Sequence, residues 1–462
     1  MSAARRYYVL SLGCAKNAVD SDSMAALLER EGLRAARTPA QADVVIVNTC
    51  GFIGPAREES MAALREMAAA KRPGQWLVAA GCLTQRSGAE VAQAVPGVDG
   101  VLGTRRWMDI LLVLEQLRRR ESPGPCLHLP EAEAVGVDEG DILRAAVRGA
   151  SAYLKIGDGC RRSCAFCAIP QIKGPPVSRP MERILEEARA LAKRGVRELV
   201  LLSQDTTEYG RDLGLQDGLA ALLEQLAAAA PQIDWIRILY AFPGAVSARL
   251  IEVMAALPQV VPYLDIPLQH AHPDVLRRMR RPADPDWARR TVARMRERLP
   301  GLAVRTAFIV GYPGETEAEF GALLDFLREM RFDRVGCFLY SREEGTESAS
   351  LPDDVPSAMK EERRARLMEL QQQISLEKNR EWVGRTLDVL VEGRQRGVSV
   401  GRSFRDAPEV DGVVIIQEDA PIGEMVRVQI TGALPYDLIG VSEKKPAAGD
   451  GPRQPVKRRT SR

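Results

Sequence analysis

The segment GDGCRRSCAFCAIP, residues 157–170, contains three closely spaced cysteines: Cys160, Cys164 and Cys167. Thiolates at positions i, i+4 and i+7 of a short loop can converge on one metal centre. A structural zinc ion prefers four protein ligands, and residues 161–169 offer no histidine or carboxylate as the fourth. A [4Fe–4S] cluster held by three thiolates instead keeps one iron that can chelate a second molecule. We therefore interpret the loop as an iron–sulfur site, with zinc or buried structural cysteines as the alternatives.

The cysteine loop directly follows the first of six apolar runs that alternate with helical segments. These runs are AYLKIG (152–157), ELVLLS (198–203), WIRILY (235–240), YLDIPL (263–268), AVRTAFIVG (303–311) and RVGCFLY (334–340). Six strand–helix units in series predict an open or partial (β/α)6 barrel rather than a full eightfold one. Such barrels place their active sites at the carboxyl ends of the strands, which is where the loop lies.

The N-terminal region alternates strand-like and helical patterns in the same way. Its strands are predicted at 7–13, 43–49, 76–81 and 99–103, and its helices at about 20–31, 55–70 and 86–94. This alternation predicts an α/β domain with a doubly wound parallel sheet.

Three further cysteines each follow one of these strands directly: Cys14, Cys50 and Cys82. The carboxyl ends of parallel strands line one crevice of an open sheet, and ligands bind in that crevice. Adjacent glycines would let the backbone approach a bulky inorganic cluster: Gly13, Gly51 and Gly81. We therefore predict a second metal site with three thiolate ligands and one open iron. Three separately buried cysteines are the alternative.

The remaining segments follow other patterns. Residues 357–381 predict one long polar helix, whereas TLDVLVEG (386–393) and MVRVQIT (425–431) alternate with period two and predict a small antiparallel β-barrel of five strands. The polar stretch 121–148, which contains Pro and Gly, predicts a linker. Residues 442–462 carry seven Lys/Arg and two acids, which predicts a disordered basic tail that is either solubilising or weakly attracted to nucleic acid.

Composition places the chain in the cytoplasm by default. The formal charge is +2, and no run of about 18 apolar residues predicts a membrane span. The N-terminus has no signal-peptide pattern, and cytosolic cysteines seldom form disulfides. Cys126 and Cys337 have no ligand-like neighbours and are interpreted as incidental. The three histidines, His128, His270 and His272, are not spaced as a metal site. His270 ends the fourth barrel strand, so it either faces the active site or has a structural or capping role.

The C-x3-C-x2-C spacing, with Phe166 before the last cysteine, resembles the radical SAM superfamily. The resemblance implies that the open iron binds S-adenosylmethionine and that an electron cleaves it to methionine and a 5′-deoxyadenosyl radical. LLSQDTTEYG (201–210) and IVGYPGETE (309–317) end the second and fifth strands, where the superfamily contacts this cofactor. The expected S-adenosylmethionine contacts are therefore Ser203, Gln204, Asp205, Gly311 and Gly314.

The order of the domains resembles the methylthiotransferase family to about residue 441, and the C-terminal module looks like its TRAM domain. GCAKNAVDS (13–21) and SQDTTEYG (203–210) differ from the GCQMN-like and GQNVN-like segments of tRNA-modifying members and look like the RimO branch. This resemblance implies two [4Fe–4S] clusters, and S-adenosylmethionine as both radical source and methyl donor. It also implies methylthiolation of the β-carbon of one aspartate in small-subunit ribosomal protein number twelve.

The expected domains span residues 5–120, 149–356 and 382–441. The expected partners are the ribosomal protein or small ribosomal subunit and an electron donor such as flavodoxin or ferredoxin, with no membrane contact and a monomeric enzyme. A tRNA adenosine methylthiotransferase is the first alternative, and a non-catalytic, metal-stabilised RNA-binding protein is the second. The mixed charges of residues 402–412 are less basic than a phosphate-binding surface requires, which favours a protein substrate.

Overall fold

The computed structural model describes residues 6–119, 124–136 and 142–443. Backbone contacts divide the chain into two units, Met1–Ser375 and Leu376–Arg462, and each is described by itself. Among the described residues, no helix combines the length and the apolar character needed to cross a bilayer.

The N-terminal part is a six-stranded parallel sheet in the order β2-β1-β3-β4-β5-β6. Its elements are β1 (Arg6–Ser11), α1 (Ala15–Arg30), β2 (Arg34–Ala35), β3 (Val44–Thr49), α2 (Gly54–Ala69), β4 (Trp76–Gly81), α3 (Cys82–Ala94), β5 (Gly100–Gly103), α4 (Ile110–Arg119) and β6 (Cys126–His128). The four predicted strands are β1, β3, β4 and β5, so the predicted parallel sheet is confirmed. Helices α1 and α3 begin earlier than predicted, immediately at the cysteines.

Strand β3 shows why this sheet is wound on both faces. Val44 and Ile46 pack with residues of α1 and α4 in one hydrophobic cluster. Val45 and Val47 point the other way and pack with residues of α2 and α3. Alternate residues of a strand face opposite sides, so a strand that is apolar at every position requires a helical layer on each face.

The barrel follows in the same unit, which ends at Ser375 within the helix Ser357–Arg380. Its elements are β7 (Ala145–Arg148), β8 (Ser151–Lys155), β9 (Gly157–Asp158), α5 (Ile169–Lys173), β10 (Val177–Ser178), α6 (Met181–Lys193), β11 (Glu198–Leu202), α7 (Gly218–Ala229), β12 (Trp235–Ile238), α8 (Ala248–Ala256), β13 (Tyr263–Asp265), α9 (Pro273–Arg278), α10 (Pro285–Arg298), β14 (Ala303–Val310), α11 (Glu317–Met330), β15 (Arg334–Leu339) and α12 (Ser357–Arg380).

The six predicted barrel strands are β8 and β11 to β15. They form two parallel runs, β12-β11-β8 and β13-β14-β15, which are joined by an isolated parallel bridge between Ile236 and Val260. The partial (β/α)6 barrel is thus confirmed. The long polar helix predicted at 357–381 is α12.

The stretch 121–148 is more structured than a linker. Strand β6 extends the N-terminal sheet in parallel to β5, and β7 pairs antiparallel with β8. Both strands are short and lie at sheet edges, where pairing on one side requires no long apolar run. A pattern search therefore has little signal to detect at either position.

The C-terminal unit is a closed barrel in the order β16-β17-β18-β20-β19. Its strands are β16 (Thr386–Gln395), β17 (Val398–Ser403), β18 (Val414–Ile416), β19 (Met425–Ala433) and β20 (Leu438–Ser442). The predicted five-stranded barrel is confirmed, except that β18 and β20 pair in parallel rather than antiparallel. The tail predicted for residues 442–462 lies, from residue 444 onward, outside the described residues.

The charged segment of this barrel is largely internal. Arg402 and Arg405 are 2% and 1% exposed. Arg402 donates to Glu392 at 2.7 Å, and Arg405 donates to Asn379 at 3.1 Å. Each guanidinium is buried among hydrogen-bond acceptors of its own unit, so neither arginine adds positive charge to the surface.

Candidate active site

The loop from Cys160 to Cys167 lies at the carboxyl end of β8 and is fixed by its own backbone. The Cys160 N–H donates to the Gly174 carbonyl at 3.0 Å, and the Cys167 N–H donates to the Cys164 carbonyl at 3.0 Å. The Ala165 N–H donates to the Met279 carbonyl at 2.9 Å. These hydrogen bonds hold the three thiols in one short loop, as the spacing predicted.

Two arginines enclose this loop. Arg162 donates to Asp205 at 2.9 Å and to Glu208 at 2.6 Å, both at the end of β11. Arg281 points a guanidinium N–H at Cys164 Sγ, 3.6 Å away. Both guanidinium groups stack on the Phe242 ring, at 3.9 Å and 4.4 Å from its centroid. The loop is therefore tied to neighbouring strand ends, and one thiol receives a cationic donor.

The other three cysteines lie at neighbouring strand ends beside the topological switch point of the N-terminal sheet. The chain leaves β1 toward β2 on one side and then returns to β3 on the other, which opens a crevice between the ends of β1 and β3. Cys14 follows β1 and Cys50 follows β3, so both border this crevice. Cys82 follows the next strand, β4.

Backbone contacts show how closely the three loops approach. A Cβ atom added to Gly13 would lie 2.7 Å from Cys50 Cβ and 2.9 Å from Cys50 Sγ. A Cβ atom added to Gly51 would lie 2.6 Å from the Leu83 Cα atom. Neither position has room for a side chain, so these glycines let the loops approach one another. The predicted approach of the backbone to a cluster stays a prediction.

The side chain of Asn17 joins all three loops, a role that the sequence reasoning missed. Its amide donates to the Leu12 carbonyl at 3.0 Å and to the Thr49 carbonyl at 2.9 Å. The Cys82 thiol donates to Asn17 Oδ1 at 3.5 Å. A buried asparagine three residues after Cys14 was the available signal, since a buried amide needs several partners.

A Gly13→Ala variant is expected to lose the second site while the radical site remains. The added methyl group would collide with Cys50, and Gly13 has a φ of +86°, which disfavours alanine. If each trio holds a [4Fe–4S] cluster, iron should fall from about eight to about four atoms per chain after reconstitution without oxygen. Gly32→Ala is the matched control, since Gly32 has a φ of +85° but open space around it. Equal iron contents in the two variants would contradict the crevice geometry.

The two cysteine trios approach each other through helix α5. Cys82 packs in one buried cluster with Ala168 and Ile172, which lie one and five residues after Cys167. Arg105 of the N-terminal part donates to the Ile172 carbonyl at 3.0 Å and to the Gln171 carbonyl at 2.7 Å, both in α5. The trios are thus neighbours, a relation that the sequence alone did not specify.

A buried cluster of five charges lies beneath this contact. The Asp20 carboxylate of α1 forms ion pairs with the Arg144 guanidinium at 2.6 Å and the Lys173 ammonium at 3.0 Å, and it also pairs with Lys155. Asp158 lies 3.1 Å from the Lys155 ammonium and 3.5 Å from that of Lys173. All five side chains are less than 10% exposed. The cluster joins α1 to the barrel, and a lysine inside the apolar run AYLKIG was its one visible signal.

Burial governs the acidity of most of these thiols. It raises the pKa of Cys50, and it raises that of Cys160 to about 11 and those of Cys82 and Cys167 to about 12. At Cys14, which solvent reaches, desolvation also raises the pKa, but the Lys16 ammonium and backbone N–H groups outweigh it and lower the pKa overall. A bound metal cation supplies the positive charge that ionises such thiols, so both trios fit a metal better than a role as free nucleophiles.

The predicted S-adenosylmethionine contacts lie in two different settings. Ser203 and Gln204 follow β11, and the buried Gln204 Oε1 has no hydrogen-bond partner among the described residues. Asp205 is engaged by Arg162 and by the Thr207 N–H at 3.1 Å. The second setting is the turn after β14. There the Gly311 N–H donates to Glu315 at 2.7 Å, and the N–H of the solvent-exposed Gly314 donates to Asp354 at 2.8 Å. The orphan amide oxygen fits a cationic or N–H donor, and the cofactor contacts remain predictions.

His270 and His272 both have structural surroundings. His270 is 2% exposed, and its Nδ1 accepts the His272 N–H at 3.0 Å. Its Nε2 lies 4.0 Å from Glu315, and burial lowers its pKa to about 3, so the ring is neutral. His272 caps α9 by accepting the Asp274 N–H at 3.3 Å. Capping therefore belongs to His272 rather than to His270.

Three family models match the chain. They are the uncharacterized protein family UPF0004 over residues 6–103, the radical SAM superfamily over residues 154–327, and the TRAM domain over residues 383–442. The solved structure of the radical S-adenosylmethionine methyltransferase TsrM from Kitasatospora setae aligns with a TM-score of 0.53 at 14% identity. That alignment covers 89% of this chain and 82% of TsrM, and it shows a likeness in fold alone.

Curated relatives match along nearly the whole length. The ribosomal protein uS12 methylthiotransferase RimO of Roseiflexus sp. (strain RS-1) is 49% identical over 463 residues, covering 96% of this chain and 98% of the relative. The RimO of Chloroflexus aurantiacus is also 49% identical, covering 94% of this chain and 99% of the relative. At this identity and coverage, the chain belongs to the RimO family of ribosomal protein uS12 methylthiotransferases.

Proposed function

We propose that this chain attaches sulfur and a methyl group to the β-carbon of a specific aspartate of ribosomal protein uS12. The observation that carries the proposal is the packing of Cys82 against Ala168 and Ile172, which lie one and five residues after Cys167. One substrate group can then reach both cysteine trios, which makes the transfer effectively unimolecular. The identity of 49% to relatives named for this activity supports the choice of substrate.

Each trio of thiols would hold a [4Fe–4S] cluster, and these clusters together with S-adenosylmethionine would supply the radical, the methyl group and the sulfur. The residues of the chain then have distinct tasks. Gln204 offers its unpaired buried Oε1 as an acceptor for the amino group of the cofactor. Arg162 and Arg281 fix the cysteine loop by stacking on Phe242. Helix α5 sets the spacing of the two trios.

The rest of the chain would serve delivery of the substrate and of electrons. Residues 5–120 and 149–356 would each hold one cluster, and the C-terminal barrel at 382–441 would dock the substrate protein. Because Arg402 and Arg405 are buried, this part of the barrel lacks the cationic surface that phosphate binding requires, which supports a protein substrate. The enzyme would act as a cytoplasmic monomer and receive electrons from flavodoxin or ferredoxin.

Mass spectrometry of a strain that lacks the gene tests this function. Ribosomal protein uS12 should lose the mass of one methylthio substitution, whereas the methylthioadenosine content of tRNA should stay unchanged. Complementation with the intact gene should restore the modified protein, and complementation with a Cys82→Ala variant should not. Loss of the tRNA nucleoside with an unchanged uS12 mass would replace the proposed substrate with adenosine.

A further inference from the structure

Lys16 lies beside the crevice between the ends of β1 and β3, and its ammonium has no carboxylate in ion-pair contact among the described residues. It lies in the first turn of α1, two residues after Cys14, and is half-buried. Its ammonium sits 3.1 Å from the centroid of the Tyr240 ring, which follows β12 in the barrel. Among the described residues, no carboxylate forms an ion pair with it. The lysine therefore reaches from the crevice beside Cys14 to the barrel without a carboxylate in ion-pair contact.

The neighbouring cations are different, because each already has acidic partners. Lys155 and Lys173 pair with Asp20 and Asp158 in the buried charge cluster. Arg162 is held by carboxylates at the end of β11. An arriving anion would have to displace those partners, whereas Lys16 has no carboxylate in ion-pair contact among the described residues.

The residue beneath Lys16 has a strained backbone. Tyr240 has a φ of +61°, a conformation that a bulky side chain seldom adopts. Its N–H donates to Asp265 at 3.0 Å, and its carbonyl accepts the Thr206 N–H at 3.1 Å. Strain of this kind persists where surrounding contacts enforce it, and it is common at ligand-binding sites. At this position the backbone presents the face of the Tyr240 ring, which holds the Lys16 ammonium without neutralising its charge.

We propose that Lys16 binds the side-chain carboxylate of the substrate aspartate and so determines the specificity of the enzyme for that residue. The inference rests on the proposed function. The reacting β-carbon is bonded directly to the carboxyl carbon, so an ammonium that holds the carboxylate beside Cys14 also holds the β-carbon beside the sulfur-bearing site. A charge-assisted hydrogen bond at this point rejects a neutral side chain of equal size.

Binding of two forms of uS12 to two forms of the holoenzyme tests this role. The substrate carries either aspartate or asparagine at the modified position, and the enzyme carries either Lys16 or the Lys16→Met substitution. All four dissociation constants are measured without oxygen on protein with its full iron content. The native enzyme should bind the aspartate form about tenfold or more tightly, and Lys16→Met should bind both forms alike. Lys16→Arg should keep part of the preference.

The controls separate this inference from the proposed function. Lys193→Met, a substitution of an exposed lysine on α6, should keep the full preference for aspartate. If Lys16→Met binds with the same preference as the native enzyme, or if the native enzyme shows none, the inference is overturned. Either result leaves the proposed function intact as long as the native enzyme still modifies uS12. If the native enzyme fails to modify uS12 at all, the proposed function itself fails.

Discussion

A Cys164→Ala variant is expected to lose reductive cleavage of S-adenosylmethionine to below detection while retaining about four of some eight iron atoms per chain. Removing one of three thiolates from a short loop leaves too few ligands to hold a cluster there. The second trio is built on other strands and should load normally. Methionine and 5′-deoxyadenosine are quantified after reduction with dithionite, and iron and sulfide are measured on the same sample.

Two further variants define what this result means. Cys82→Ala should also lose about four iron atoms, but it should keep reductive cleavage because the loop from Cys160 to Cys167 is untouched. Cys126→Ala lies in the edge strand β6 and should retain all iron and all activity. Zinc in place of iron in the native protein, or cleavage that survives in Cys164→Ala, would reject the radical assignment and favour a structural metal protein.

An Asp20→Asn variant is expected to lower the free energy of unfolding by about 3–5 kcal/mol. Asp20 and Asp158 neutralise two of the three cations in the buried cluster, so the loss of Asp20 leaves three cations with a single carboxylate. A buried charge without a partner cannot recover the hydration it has lost. The change is measured as a shift of the urea midpoint, followed by the fluorescence of tryptophan. Iron content is recorded as well, because the cluster supports both cysteine trios.

Asp22→Asn is the matched control on the same helix. Asp22 pairs with Arg148 at 2.9 Å, and both side chains are about 40% exposed, so water screens the pair. Its loss should lower the free energy of unfolding by less than about 1 kcal/mol. Equal effects of the two substitutions would show that the buried cluster does not stabilise the fold.

The Asp20 carboxylate also makes the stability of the fold depend on pH. Desolvation raises the pKa of Asp20, but Lys155, Lys173 and Arg144 outweigh it and hold the pKa far below the ordinary value of 3.8. A carboxylate whose pKa is lowered in the folded state stabilises the fold fully at a pH above its ordinary pKa. This stabilisation is lost as the pH falls toward the pKa of the folded state. The difference in urea midpoint between native protein and Asp20→Asn should therefore be constant near neutral pH and narrow below about pH 4.

Local sequence patterns were sufficient for the main architecture. The six barrel strands are apolar runs separated by helical segments, and both cysteine trios stand directly after predicted strands, so periodicity and spacing locate them. The same patterns could not detect β6 and β7, because short edge strands need few apolar residues. They also gave no indication that Arg402 and Arg405 are buried, since a charged residue in a polar segment carries no local sign of burial.

What the sequence determined by itself was which chemistry the chain can hold: two sets of three thiols, each at the end of a strand. Only the tertiary structure decided how these sets and their surroundings come together. The pairing of Asp20 with Arg144, Lys155 and Lys173, and the placement of Lys16 on Tyr240, join residues that are more than 120 positions apart. Such contacts depend on how whole strands and helices pack, and no local pattern of residues records that packing.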